Sequence, residues 1–361
     1  MRAADACPGV LRPHRAEDGA MVRLRLPGGR VTAETLVRLV ELATSYGNGI
    51  VQLTSRAGLQ VRGLPDPLPS AFVAAVAATG LLPSTTHERV RNIVASPLTG
   101  LSGGLTDLRP LIAELDAGLI AEPSLSALPG RFLFVLDDGR GDVVDLTFDL
   151  GYQATGRGEG RVLVASPDSG LAVSATEAVP VLLDLARQFV TARTASGAWH
   201  VAELPAWIES LDLTSPPATH GSPSVPLGHV GDAASVLVPL ARLDLKQARA
   251  IDRAVSSGPV VVTPWRGLVL PGASGQLEAL ANAGMVIDDE SAWAGISACV
   301  GAPACARARA DTAAIAEVLA AGGKPVRQIH ISGCERRCGA PAHDHLDLVA
   351  PQASVSVSTA R

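Results

Sequence analysis

Ile50–Leu64 reads IVQLTSRAGLQVRGL, and Pro259–Ala273 reads PVVVTPWRGLVLPGA. Laid over each other, they match at Val51 and Val260, Thr54 and Thr263, Gly58 and Gly267, Leu59 and Leu268, and Gly63 and Gly272. Each copy is an apolar run, a polar turn and a second apolar run, the pattern of two strands joined by a tight turn. The flanks extend the match. Before the first copy, VRLRLPG alternates as a strand does. The segment after it predicts a helix capped by Thr32, with Leu36, Leu39, Val40 and Ala43 on one face. Before the second copy, SVLVPL reads as a strand. Asp244 and Gln247 then make a capping-box pattern for a helix burying Ala248, Ile251 and Val255. Both copies predict strand–helix–strand–turn–strand, an α+β unit used twice.

Between the copies, Thr214–Gly228 (TSPPATHGSPSVPLG) carries four prolines among Ser, Thr and Gly, and predicts a linker. The first half also holds an extra α/β segment. It predicts a helix at Asp107–Ala117, strands at Phe132–Leu136 and Val143–Phe148, and a helix near Ala178–Ala192 with Pro180 in its first turn. Gly156, Gly158 and Gly160 lie between strand-like runs and open no helix, so they read as a hairpin turn rather than a dinucleotide site. A last helix is predicted at about Ala306–Ala321.

The chain has 361 residues, 47% hydrophobic and 18% charged, enough for more than one packed core. A net charge of −5 supplies no basic field for nucleic acid or anionic lipid. No apolar run is long enough to span a membrane, and the charged start lacks a secretory core. A cytoplasmic protein is expected, where thiols stay reduced. Lys246 and Lys324 are the only lysines among 30 basic residues. Composition bias explains this, although a site for carboxylates gains from arginine's planar fork.

Four of the five cysteines crowd into the last part of the chain, as C-x5-C at Cys299 and Cys305 and C-x3-C at Cys334 and Cys338. Gly301, Pro303, Gly333 and Gly339 supply turns around them. A cubane needs four converging thiolates with free amides near the sulfurs, so the pattern reads as a 4Fe–4S site. Structural zinc favours ligand pairs two to four residues apart, which the first pair fails. Zinc is thus the minority reading, and inert buried thiols are the other. Cys7 stands apart near the chain start and is given no role.

The C-x5-C and C-x3-C pattern on the second of two related halves resembles the sulfite/nitrite reductase family. The resemblance runs from about Arg12 to Val349. It implies an α+β fold of two pseudo-symmetric halves, each a ferredoxin-like unit plus an α/β segment. The corresponding boundaries are 12–80 and 81–213, the linker 214–228, then 229–290 and a short cluster-bearing segment 291–361. It also implies that Cys338 is the cysteine facing the macrocycle. Arg56, Arg91 with Asn92, and Arg131 fall where that family binds anions or a tetrapyrrole. A solvated surface arginine is the competing reading for each. Trp265 and Arg266 would stack on a macrocycle or simply pack, with packing the default for tryptophan. Glu335, Arg336 and Arg337 would tune the cluster or face solvent.

One departure separates the chain from the reductases. Where they carry lysines to hold sulfite or nitrite and supply protons, Leu133 occupies the second position and no lysine is near. CPGVLRPHRAEDGAMVRLRLPGG and IHISGCERRCGAPAH instead resemble the precorrin-3B synthases of aerobic cobalamin biosynthesis. That branch implies hydroxylation of precorrin-3A by O2 with closure of a lactone. It also implies a mononuclear non-haem iron, for which His330, His343 and His345 are not singled out as ligands. Electrons would arrive from a ferredoxin or an NADH-linked reductase. A sirohaem-dependent sulfite or nitrite reductase is the alternative. A cluster carrier without substrate is the third, disfavoured because a carrier needs far less chain.

Overall fold

The computed structural model describes residues 5–168, 170–222, 224–341 and 344–350, and the backbone of 356–359. The first repeat forms β1 (His14–Ala16), β2 (Gly19–Leu24), β3 (Arg30–Thr32), α1 (Ala33–Tyr46), β4 (Val51–Leu53), β5 (Leu59–Leu64) and α2 (Ser70–Ala78). The extra segment follows as β6 (Ile93–Ala95), α3 (Arg109–Ala121), β7 (Phe134–Asp137), β8 (Leu150–Gly156), β9 (Glu159–Val164), β10 (Gly170–Ser174), α4 (Ala175–Ser196) and α5 (Pro205–Glu209). The second repeat gives β11 (Gly228–Val230), β12 (Ala233–Leu237), β13 (Arg242–Leu243), α6 (Leu245–Val255), β14 (Pro259–Val262), β15 (Gly267–Leu270) and α7 (Leu277–Asn282). The cysteine segment closes the chain with β16 (Ile296–Ala298), α8 (Thr312–Ala321), β17 (Ile329–Ser332), β18 (Leu346–Val349) and β19 (Ser356–Thr359).

The two repeats build matching sheets, ordered β1-β2-β5-β4-β13 and β11-β12-β15-β14-β3. Each takes its last strand from the other half. Leu243 of β13 pairs with Val51 of β4, and Val31 of β3 pairs with Val260 of β14. The helices follow the expected caps. Thr32 accepts a hydrogen bond from the Thr35 amide, and Asp244 and Gln247 close a capping box. Each cap contributes about 1 kcal/mol. α1 and α6 then bury Leu36, Leu39, Val40, Ala248 and Ile251 in one core common to both sheets. The halves are therefore interlocked rather than merely tethered. Even the proline-rich connection is strapped down. Arg161 donates to the Pro216 and Pro217 carbonyls, and Gln153 exchanges two 2.7 Å hydrogen bonds with Thr219.

The α+β fold of two related halves is as expected; three local boundaries are not. The expected strand at Val143–Phe148 is a turn-rich connection instead. β7 and β8 run parallel, so the chain must cross over between them. The Asp137 carboxylate turns it, accepting from the Gly139 and Gly141 amides at 2.9 Å each. Val143, Val144 and Phe148 are buried there without belonging to a strand. α4 begins at Ala175, because Ser174 and Glu177 form a capping box, so Pro180 lies beyond the first turn. α8 begins only at Thr312, capped by Asp311, and residues 306–311 are spent on turns beside Cys305. The glycine-rich stretch is the β8–β9 hairpin turn.

The extra segment forms a sheet ordered β10-β9-β8-β7-β6, with α3 and α4 packed on it. The cysteine segment forms the sheet β16-β17-β18-β19, parallel except for its last strand. No described helix is long and apolar enough to cross a membrane.

Candidate functional site

Strand alternation gives the first repeat's sheet two unlike faces. Val22, Leu24, Val51, Leu53, Leu59 and Val61 enter the core. Arg23, Gln52 and Gln60 come level across β2, β5 and β4 on the opposite face. Arg23 Nε donates to Gln60 Oε1 at 2.9 Å, and Gln60 Nε2 donates to Gln52 Oε1 at 2.7 Å. In the second repeat the level positions are Ser235, Val269 and Val261. One fold unit thus presents a basic, amide-rich face and its copy an apolar one.

The four clustered cysteines line one cavity of about 1120 Å³ with Arg23, Gln60, Arg62 and Arg266. Cys299 follows β16, and its Sγ accepts from the Gly333 amide at 3.1 Å. Cys305 is turned inward by its own amide, which donates to the Gly301 carbonyl at 3.0 Å. Gly301 has φ 70°, and a Cβ there would lie 2.4 Å from Thr312 Oγ1, so glycine is required. Burial pushes the Cys338 thiol up, and the charges of Cys299, Cys334 and Cys305 add to this. The four sulfurs are therefore electrostatic neighbours. Among the described residues no three His, Cys, Asp or Glu side chains converge on a single-ion site. Four thiols lining one cavity, with the Gly333 amide donating to one sulfur, match the donor set that a cubane takes. Arginines from both repeats clasp the cysteine loops. Arg62 donates to the Ala304 carbonyl at 2.8 Å, and Arg266 donates to the Gly339 carbonyl.

A second cavity of about 890 Å³ is lined by Leu133, Leu146, Trp265 and Trp293 with Arg56 and Asp142. It adjoins the first at Ser55, Leu240, Ala241, Arg266 and Gly339. Neither lining contains a lysine among the described residues. Asp142 is buried here, its Oδ1 accepting from Ser96 Oγ at 2.7 Å. Burial, with the charge of Asp137, raises its pKa to about 7.

The arginines singled out from the sequence meet in a third, smaller cavity of about 290 Å³. Arg56 projects from the Thr54–Gly58 turn and donates to the Arg131 carbonyl at 2.7 Å, with burial lowering its pKa. Arg131 lies over the Trp199 ring at 5.8 Å. Arg91 is committed elsewhere, gripping Asp116 through Nε and Nη2 at 2.6 and 2.7 Å. Asn92 is a structural clamp that donates to the Arg89, Gly130 and Phe132 carbonyls and accepts from Arg25. All four residues line this cavity, with the Arg91 and Asn92 side chains also bonded into the framework. Arg23, Arg25 and Arg62 are not among the residues read from the sequence, although the alternation in VRLRL and QVRGL marks all three; Arg266, weighed there with Trp265, lines both larger cavities. Cys7 is not at a loose end. Asp5 ties its segment to the Gly130 amide, Glu88 accepts from the Val10 amide, and burial raises the Cys7 thiol's pKa.

Beside the cysteines, His330 is fully buried and burial lowers its pKa to about 4. His345 contacts Asp347 at 3.2 Å, and Asp347 also pairs with Arg337 at 3.4 Å. His343 lies outside the described residues.

Residues 12–72 match the nitrite/sulfite reductase ferredoxin-like half domain. The chain is 25% identical to a precorrin-3B synthase of Sinorhizobium sp, over 95% of this chain and 80% of that protein. A ferredoxin–nitrite reductase of Synechococcus elongatus is 32% identical, over 37% of this chain and 28% of that one. Among solved structures, Mycobacterium tuberculosis NirA aligns with a TM-score of 0.67 at 18% identity, covering 94% of this chain and 73% of its own. The chain thus shares the fold of NirA, and the matched half domain is the unit carrying Arg23, Arg25, Arg56 and Arg62.

Proposed function

We propose that this protein is a precorrin-3B synthase-like monooxygenase that hydroxylates precorrin-3A with O2 and closes a lactone. The observation that carries the reading is the joined pair of cavities. One is ringed by four thiols and arginines, the other is largely apolar with Leu133 in its wall, and neither is lined by a lysine among the described residues. The Sinorhizobium relative, matched along nearly the whole chain, supports it.

In this reading Cys299, Cys305, Cys334 and Cys338 hold a 4Fe–4S cluster, with Cys338 toward the macrocycle. The cluster would supply single electrons, delivered in the cytoplasm from a ferredoxin or an NADH-linked reductase. Arg23, Arg56 and Arg131 bind the substrate's rim carboxylates, whose charge favours guanidinium forks. Trp265, Trp293 and Leu133 pack the macrocycle and exclude water. Inserting one atom of O2 and releasing the other as water consumes two electrons and two protons. Asp142, which holds a proton near neutrality at this cavity, is placed to exchange one. A mononuclear iron is part of the reading, with no ligands assigned.

The test is a visible spectrum of anaerobically purified protein, followed by turnover of precorrin-3A under O2. Iron–sulfur absorbance without haem bands, together with a hydroxylated lactone product, would support the proposal. Sirohaem bands with nitrite or sulfite turnover would replace it with the reductase reading, which the NirA-like fold keeps in view.

A further inference from the structure

The strand that delivers Cys334 carries two buried polar atoms without a hydrogen-bond partner. Along β17, Ile329 and Ile331 join the apolar cluster with Ala316 of α8, so alternation sends His330 and Ser332 to the opposite face. Both are 0% exposed, and neither His330 Nε2 nor Ser332 Oγ has a hydrogen-bond partner. Such orphans are rare because a buried donor without an acceptor is costly.

Their neighbours are the cysteines. Ser297 of β16 is level with His330, and the Cys299 amide donates to the Ile331 carbonyl at 2.9 Å. One step beyond the ladder, Cys299 therefore comes level with Ser332. The His330 ring lies against the Cys338 backbone without an aligned hydrogen bond to it. Its other nitrogen is occupied. Ser297 Oγ lies 2.9 Å from His330 Nδ1 and 3.3 Å from the Ile329 carbonyl. With Nδ1 turned to Ser297, Nε2 is the ring nitrogen on the Cys338 side.

Resting on the reading that the four cysteines hold a 4Fe–4S cluster, we propose that His330 and Ser332 are positioning residues that hydrogen-bond its sulfurs at Cys338 and Cys299. They hold its reduction potential up, because donors to the sulfurs stabilise the reduced, more negative state. They complete a donor set begun by the Gly333 amide on Cys299 Sγ.

The experiment is an EPR-monitored redox titration of the full chain, purified without oxygen, after iron and acid-labile sulfide have been counted. His330→Leu and Ser332→Ala are expected to load the cluster fully, with midpoints more negative than the parent. His330→Gln, which keeps a donor, should recover most of the shift. If His330→Leu fails to fold, Ser332→Ala and His330→Gln still decide, each predicting a smaller negative displacement. Fully loaded variants with an unmoved midpoint would overturn this inference alone. A parent protein without iron and sulfide would overturn the cluster reading and this inference with it.

Discussion

Arg62 and Ala304 are joined across the molecule by a 2.8 Å hydrogen bond, from guanidinium Nη2 to carbonyl oxygen. Arg62 belongs to the first repeat's sheet, and Ala304 immediately precedes Cys305. The same guanidinium is held by Asp18 at 3.1 and 2.8 Å, and both side chains are largely buried. The first half thereby fixes the position of a thiol in the second.

Replacing Arg62 with alanine strips the Ala304 carbonyl of its donor and leaves Asp18 without its partner. Breaking such a buried pair costs about 3 kcal/mol. The expected result is a lower melting temperature and less iron per purified chain than the parent. An unchanged iron content at a reduced melting temperature would confine Arg62 to stability.

Arg56 and Arg91 should separate cleanly. Arg56 faces two cavities and keeps part of its fork free, so Arg56→Ala should weaken binding of a polycarboxylated porphyrin by about tenfold or more with little loss of stability. Arg91→Ala should unpair Asp116 and cost about 3 kcal/mol, with binding changed only as far as folding is. Porphyrin fluorescence quenching and a denaturant titration on each variant distinguish the two.

Sequence spacing separated these roles poorly for a physical reason. Strand period and helix caps are local, so the repeat, Thr32 and the Asp244–Gln247 box were legible. The strand exchange of β3 and β13 was not, because nothing local tells a strand which half it will pair with. The Arg91 ion pair was not legible either, because Asp116 sits on α3 well downstream in the chain. Val143–Phe148 looked like a strand because its apolar residues are indeed buried, while the Asp137 carboxylate takes the amides that make it a turn. The cysteine pattern stood out because four thiols and their glycines are dense in sequence and space alike.

Cys338→Ser should remove a thiolate from the cavity wall and lower iron per chain by at least half, with the visible iron–sulfur absorbance falling in step. Cys7→Ser should leave both unchanged, since Cys7 lies in the small arginine-lined cavity and not among the other four. Iron analysis and an absorbance spectrum of both variants suffice, and equal iron in the two would remove Cys338 from the cluster.

Asp142 gives the stability a pH dependence of unusual sign. Its folded pKa is raised to about 7, from an ordinary value of 3.8, by burial first and by Asp137. Between those values the folded chain keeps a proton that the unfolded chain has released. Stability from this group is therefore complete below about pH 4 and is lost as pH rises through 7. Asp142→Asn removes the charge while leaving an acceptor for Ser96, so it should stabilise the protein at pH 8 by on the order of 2–4 kcal/mol. The gain should shrink on acidification and vanish near pH 4. Melting temperatures of parent and variant across that range test it, and a difference independent of pH would mean that Asp142 is already charged in the fold.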